Sequence, residues 1–147
     1  MSVSVADPAR RETLSAIRSV VIAAERYREA MATHFGLGRT EAQAVSQLAT
    51  TGGLGQTDLA VRVGITTGAS TALIDRLETA GIARRTAHPT DRRRTIVTLT
   101  EHGQALVAEG RESLNRLFEG LEGHDLPQVT AVLETIAENL EREIQRL

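Results

Sequence analysis

The chain has 147 residues, 41% of them hydrophobic, so it is long and apolar enough to fold as one domain around a single core. It contains no cysteine, which excludes disulfides, thiolate metal sites and thiol-based redox sensing and makes a cytoplasmic location the expectation. No apolar run approaches the roughly 18 residues that a membrane span needs, and no hydrophobic signal segment is recognisable, so we expect no membrane partner.

The formal net charge of −2 conceals an uneven distribution of arginine. Residues 56–100 carry seven arginines against four acidic residues, a net charge of +3, whereas the rest of the chain carries ten against fifteen, a net charge of −5. A basic segment within an acidic remainder favours a polyanionic partner that is contacted by one face only. A solvated basic face would give the same count.

Two helices are predicted in the first third of the chain. The first covers residues 9–35, where apolar residues recur at three- and four-residue steps between Leu14 and Met31. Glycines follow it, and Thr40 is the predicted N-cap of a second helix, which Gly52 ends.

The middle of the chain is predicted to form a helix-turn-helix. A short third helix over residues 57–63 is followed by Gly64, which can adopt the positive φ of a tight turn. A fourth helix then covers residues 67–80, with Thr66 or Thr67 as its cap.

A two-stranded hairpin is predicted directly after the fourth helix, which makes the motif a winged helix-turn-helix. The runs IARRTA and RTIVTL are rich in strand-forming residues, and the loop HPTDRR of about six residues joins them. This loop places Arg92, Arg93 and Arg94 side by side at the tip of the hairpin. A hairpin that only protects a sheet edge with charged residues is the alternative interpretation.

The arginines of the loop suit a narrow DNA minor groove, where negative potential is concentrated. We expect Arg93 to enter the groove, with Asp91 pairing with it or with another arginine and so fixing the direction of the loop. Arg92 and Arg94 are expected to lie along phosphates.

Two further helices are predicted after the hairpin, one capped by Thr100 and ending near Leu121, the other capped by Asp125. The last helix carries apolar residues at steps of 3, 4, 3, 4, 4 and 3, which is nearly a heptad repeat; they are Leu126, Val129, Leu133, Ile136, Leu140, Ile144 and Leu147. This stripe packs either on the chain's own core or on a second copy. Because the first helix carries a similar stripe, the pattern favours a homodimer.

The segment GITTGASTALIDRLETAGIARRTAHPTDRRRTIVTLTEHG resembles the MarR family of winged-helix transcriptional regulators. The matching pieces are DRLETAG at the end of the recognition helix, RR on the first wing strand, DRR at the wing tip and VTLTEHG entering the next helix. The order of elements is similar over nearly the whole chain. The resemblance implies a mainly α-helical fold with a small β-hairpin wing, in a single domain over residues 1–147.

The resemblance also implies an assembly and a function. Residues 9–35 and 101–147 would form the dimerisation helices, and residues 40–100 the DNA-binding lobe. The homodimer would bind a pseudo-palindromic operator in double-stranded DNA as a repressor and lose affinity for it when a small-molecule effector binds.

The resemblance assigns DNA contacts to particular positions. The base-reading positions would be Thr66, Thr67, Gly68, Thr71 and Ala72. Arg76 would support the wing or touch the DNA backbone, and Arg93 would be the wing arginine with Asp91 as its partner.

The sequence departs from the family pattern at two of the helix positions. Many members have an arginine where Ala72 stands, and its loss removes a candidate guanine contact and favours reading by hydroxyl groups, methyl groups and groove shape. Many also have an aliphatic residue where Ser70 stands. The inner stripe of the helix is therefore either 69/73/77 or 70/73/77.

An effector pocket, where the resemblance implies one, would take its polar groups from the first two helices. The candidates are Tyr27, Arg28, His34, Gln43 and Gln47, each of which also suits an ordinary surface or helix-contact position.

No catalytic, cofactor or metal site is predicted. The four histidines lack metal-binding spacing, and the chain has no G-x-S-x-G turn, glycine-rich phosphate loop or paired-carboxylate motif. An enzyme is therefore not expected. The alternative function is a dimeric winged-helix module that contacts proteins without specific DNA binding.

Overall fold

A computed structural model describes residues 7–91 and 93–147 of the chain. The mainly helical fold with a two-stranded antiparallel wing that the sequence predicts is confirmed. Its elements are α1 (Pro8–His34), α2 (Arg39–Thr51), α3 (Gln56–Val63), α4 (Thr67–Thr79), β1 (Ala83–Ala87), β2 (Thr95–Leu99), α5 (Glu101–Asn115) and α6 (Leu126–Ile144). The chain divides into two compact units, one reaching to Arg111 and the other running from Glu112 to Leu147.

The core of the first unit lies where α2, α3 and α4 meet the hairpin. Its buried residues are Ala44, Val45 and Leu48 of α2, Leu59 and Val63 of α3, Leu73, Ile74 and Leu77 of α4, and Ile82, Ala83 and Val97 of the hairpin. Aliphatic side chains build this core, as expected for a chain with only three aromatic residues. Because α4 and the hairpin share one core, they are held in a fixed mutual position.

The N-caps show one success and one error of prediction. Thr66 caps α4 as expected, since its Oγ1 accepts a hydrogen bond from the backbone N–H of Ala69 at 3.2 Å. Thr40 was the wrong cap for α2, which begins at Arg39 with Gly38 as N-cap, two residues before the predicted one. The carboxylate of Glu41 accepts from the Gly38 N–H at 2.8 Å, and this contact replaces a side-chain cap.

The predicted fifth helix is shorter than expected. Thr100 caps it, accepting from the N–H of Gly103 at 3.1 Å, but α5 ends at Asn115 and continues only as a 3₁₀ turn over Arg116–Phe118. Gly120 follows with a φ of 82°, a backbone conformation that no helix can include.

The second unit contains α6, which begins where the sequence predicts. The carboxylate of Asp125 accepts from the N–H of Gln128 at 3.1 Å, and Pro127 lies in the first turn. The apolar stripe of α6 stays largely exposed: Leu133 is 55% exposed and Ile144 62%. An aliphatic stripe of this length in water is a surface that lacks a partner within its own unit.

Candidate nucleic-acid interface

The helix-turn-helix forms from α3 and α4 around the turn at Gly64. Gly64 has a φ of 76°, as predicted, and its N–H donates to the carbonyl of Ala60 at 2.9 Å. The N–H of Ile65 donates to the same carbonyl at 3.0 Å. Ala60 is 2% exposed, and its small side chain allows α4 to approach α3 closely.

The sequence left the rotation of α4 open, and the burial of Ser70 decides it. Ser70 is fully buried while Ala69 is exposed, so the inner stripe is 70/73/77. The Ser70 hydroxyl donates to the carbonyl of Thr67 at 2.7 Å, which satisfies its polar group inside the helix. This rotation turns the opposite face of α4 outwards.

The five predicted base-reading positions all lie at the N-terminal end of α4 and are exposed; they are Thr66, Thr67, Gly68, Thr71 and Ala72. A Cβ built on Gly68 would meet no atom within 4 Å, so the surface beside it is open. A helix N-terminus also presents N–H groups and a positive partial charge, which favour a phosphate oxygen nearby. The fold therefore gathers the predicted readers on one exposed helix end.

The wing pairs residues 83–87 with 95–99 in antiparallel register, with Arg85 opposite Val97. The loop is held by local hydrogen bonds: the N–H of His88 donates to the carbonyl of Arg94 at 2.8 Å, and the N–H of Arg94 to that of Asp91 at 2.9 Å. Arg93 and Arg94 are exposed at the tip. The predicted phosphate contact of Arg92 lies outside the described residues.

The structure shows a backbone contact of Asp91, and its predicted pairing with an arginine side chain stays a prediction where Arg92 is concerned, which lies outside the described residues. The Asp91 carboxylate accepts from the backbone N–H of Arg93 at 3.1 Å, and within the described residues it contacts no guanidinium. An aspartate two residues before an N–H forms this local turn readily. Asp91 thus shapes the loop through the backbone and leaves the Arg93 side chain exposed.

A short backbone ladder joins the wing to the segment before α3. Leu54 and Val97 exchange two hydrogen bonds, at 3.1 Å and 2.8 Å, and form an isolated antiparallel bridge. Nothing in the sequence predicts this bridge, because one residue pair leaves no periodic pattern.

An ionic cluster that the sequence analysis missed ties the wing to α4. The Arg85 guanidinium donates to Asp75 at 2.8 Å and also contacts the Glu78 carboxylate, which accepts from the Arg85 backbone N–H at 2.8 Å. The hydrogen bond to Asp75, and then the negative charges of both acids, raise the pKa of Arg85 above its usual value. The signal in the sequence was the i, i+3 pair of acids on α4, just before an arginine on the first strand.

Arg76, assigned to wing support or DNA backbone contact, lies against α2. Its Nε donates to Glu41 Oε1 at 2.6 Å. The Glu41 side chain is 17% exposed, and Arg76 lowers its pKa, assisted by the Gly38 N–H. The Arg76 side chain is still 58% exposed.

The effector candidates lie on α1 and α2 in varied surroundings. The Tyr27 hydroxyl is buried and has no hydrogen-bond partner in the described part of the chain. Arg28 pairs with Glu25 at 3.0 Å, and His34 Nε2 lies 2.9 Å from the Glu109 carboxylate of α5. Gln43 and Gln47 are half-buried on α2.

Residues 7–91 and 93–147 contain no group of three or more histidine and acidic residues placed to hold a metal ion. None of their helices combines the length and the apolar character needed to cross a membrane.

Comparison with known proteins identifies similar chains. A model of the MarR family matches residues 35–94. The chain is 33% identical over 125 residues to the uncharacterized HTH-type transcriptional regulator YcgE of Bacillus subtilis (strain 168), covering 82% of this chain and 81% of the relative.

Solved structures show the same fold. A MarR family protein from Bacillus stearothermophilus has a TM-score of 0.70 and 20% identity, covering 97% of this chain and 99% of that one. A MarR family transcriptional regulator from Silicibacter pomeroyi DSS has a TM-score of 0.66 and 22% identity, covering 97% and 98%.

Proposed function

Because the chain belongs to the MarR family of transcriptional regulators, as its resemblance implied, we propose that it is a cytoplasmic homodimeric repressor that binds a pseudo-palindromic DNA operator. Proteins of this family are DNA-binding regulators and not enzymes. The remaining question is how this chain's own residues would perform the binding.

The observation that carries the proposal is the rigid pairing of an exposed helix end with an arginine-tipped wing. The N-terminal end of α4 presents hydroxyl and methyl groups of a size suited to base edges in a major groove. The wing tip presents Arg93 and Arg94 to solvent, and the Arg94 backbone is hydrogen-bonded to His88 and Asp91. The shared core and the Arg85 cluster hold the two parts together, so they would dock as one body.

The charge distribution supports DNA as the partner. The net charge of +3 over residues 56–100 falls on α3, α4 and the wing. Arg93 would enter the minor groove, and Arg92 and Arg94 would contact phosphates. Each phosphate contact releases bound counterions, so operator affinity should fall steeply with salt.

The exposed stripe of α6 supports the homodimer. Seven aliphatic residues at nearly heptad spacing are the pattern of a helix that packs on another helix. In the dimer, two α4 helices would enter successive major grooves about one helical turn apart, roughly 34–36 Å. Twofold symmetry of the protein then demands twofold symmetry of the operator.

A small-molecule effector belongs to the same proposal. A thiol sensor is impossible in a chain without cysteine, which leaves ligand binding, the mode proposed here, or a response to pH, or no regulation. The buried Tyr27 hydroxyl without a partner is a group that a ligand acceptor could satisfy, since an unpaired buried hydroxyl is costly.

The experiment measures binding to DNA taken from upstream of the chain's own gene, at two salt concentrations. Arg93→Ala should weaken binding at least about 10-fold while the melting temperature stays unchanged. Arg39→Ala is the matched control, because it removes one exposed arginine that lies outside both the basic segment and the proposed dimerisation helices. Equal binding by wild type and Arg93→Ala would refute the wing assignment, and salt-insensitive or absent binding would favour the protein-contact module.

A further inference from the structure

The side chain of Gln56 reaches from the start of α3 to two atoms of α4. Its Nε2 lies 2.6 Å from Thr71 Oγ1 and 3.3 Å from the carbonyl oxygen of Thr67. Gln56 is half-buried and Thr71 is exposed at the proposed DNA surface. Nothing in the sequence analysis singled out Gln56.

The Thr67 carbonyl determines which way the Gln56 amide faces. A carbonyl oxygen can only accept, so the NH₂ group of the amide and not its oxygen must lie towards it. The same NH₂ group then directs its second hydrogen to Thr71 Oγ1. The Thr71 hydroxyl oxygen is therefore an acceptor within the protein.

The hydroxyl hydrogen of Thr71 is left without an acceptor among the described residues. Six other helical threonines donate theirs to the carbonyl four residues earlier; they are Thr13, Thr33, Thr50, Thr51, Thr79 and Thr135. For Thr71 that carbonyl belongs to Thr67, which already accepts from Ser70 and Gln56. The local back-bond of a helical threonine is thus replaced by an outward-facing donor.

We propose that Gln56 is a specificity-determining positioning residue that holds Thr71 as a hydrogen-bond donor towards a base edge in the major groove. This inference rests on the proposed DNA binding and adds a polarity to it. The Thr71 hydroxyl can donate to guanine O6 or N7, adenine N7 or thymine O4, whereas cytosine presents only its amino donor in the major groove. Cytosine presents no acceptor to this hydrogen and can reach only the remaining lone pair of the Thr71 oxygen, so it is the disfavoured base at the position facing Thr71.

The test measures affinities for an operator and for its single-base variants, each changed symmetrically in both half-sites. Wild type should discriminate against cytosine at one position by about 10-fold per half-site. Thr71→Val should abolish this discrimination, and Gln56→Met should abolish most of it at the same position. The base profile of each protein is the ratio of its affinities for the operator and for each single-base variant. A general loss of stability lowers all these affinities together and leaves the ratios unchanged.

Two additional variants separate polarity from packing. Gln56→Glu keeps the size of the side chain but can only accept at neutral pH, so it should reverse the Thr71 hydroxyl and remove the cytosine penalty. Thr57→Val is the matched control on the exposed surface of α3 and should leave the base profile unchanged. In a Thr71→Val background, Gln56→Met should change the base profile no further.

The outcomes distinguish this inference from the proposed function. Specific DNA binding with the same base profile in wild type and Gln56→Met would overturn the inference alone. A uniform loss of affinity for all sequences, persisting in the Thr71→Val background, would also overturn it, because Gln56 would then act only on helix packing or phosphate contact. Absence of specific binding by wild type would overturn both.

Discussion

Gly103 is the position where one methyl group should destabilise the first unit most clearly. A Cβ built there lies 2.1 Å from the carbonyl oxygen of Ile82 and 3.2 Å from Leu99 Cδ2. Real Cβ atoms stay beyond 3.0 Å, so α5 and the Ile82 backbone would have to separate by about 0.9 Å. That carbonyl accepts from the Thr100 N–H at 3.0 Å and, at 3.1 Å, shares the Thr100 hydroxyl hydrogen with the carbonyl of Gly81 at 2.6 Å; both bonds to Ile82 would be strained.

The magnitude follows from three contributions. Overpacking a close backbone contact costs about 1–3 kcal/mol. Weakening the two hydrogen bonds costs about 1–2 kcal/mol more, and the better helix propensity of alanine returns about 1 kcal/mol. Gly103→Ala should therefore lower the free energy of unfolding by about 1–4 kcal/mol.

Urea denaturation followed by circular dichroism measures this change, and Gly110→Ala in the same helix is the control. The nearest atom to a Cβ at Gly110 is Met31 Cε at 4.0 Å, so only helix propensity should act, and the variant should gain about 0.5–1 kcal/mol. If Gly103→Ala is as stable as wild type, the close packing of α5 against the Ile82 carbonyl is wrong.

Three further predictions concern α4 and its partners. Arg76 and then the Gly38 N–H lower the pKa of Glu41 below 4.5, so ionised Glu41 stabilises the fold above that pH and the contribution is lost as pH falls through the lowered pKa. Urea titrations should show Glu41→Gln less stable than wild type by about 0.5–1.5 kcal/mol at neutral pH, a difference that closes in acid; a constant difference would contradict the pairing. Arg85→Met removes the ionic contact of the wing with α4 and should weaken operator binding several-fold, whereas Arg62→Met, on exposed α3, should leave that contact in place. Equal effects of both variants would show that only charge matters. Ser70→Glu buries an unpaired charge and should lower the free energy of unfolding, measured by thermal denaturation, by more than about 3 kcal/mol. Ala69→Glu, on the exposed face, should lower it by less than about 0.5 kcal/mol. The reverse order would favour the 69/73/77 stripe.

Local signals predicted most of the fold. Gly64 marked the turn of the helix-turn-helix, and Thr66, Thr100 and Asp125 marked helix starts, because capping and positive φ are decided within a few residues. Thr40 was wrongly predicted for the same reason. It is a good capping residue, but the Glu41 carboxylate accepts from the Gly38 N–H, and α2 begins there instead.

Contacts between elements were beyond sequence reasoning. Arg85 was noted as part of a motif, yet its acids on α4 became its partners only through packing of the wing against that helix. The contact of Gln56 with Thr71 spans 15 residues and depends on the helix rotation that Ser70 decides. The predicted base-reading positions on α4 are all exposed and their DNA contacts stay predictions, whereas the residues that orient them came only from the structure.

Selection of bound sequences from a random duplex DNA library tests the central claim most directly. A homodimer with two α4 helices on one face should enrich a twofold-symmetric motif whose half-site centres lie about 10–10.5 base pairs apart. Enrichment of no motif, or of a single half-site without symmetry, would contradict a dimer that presents two recognition helices to one face of the double helix.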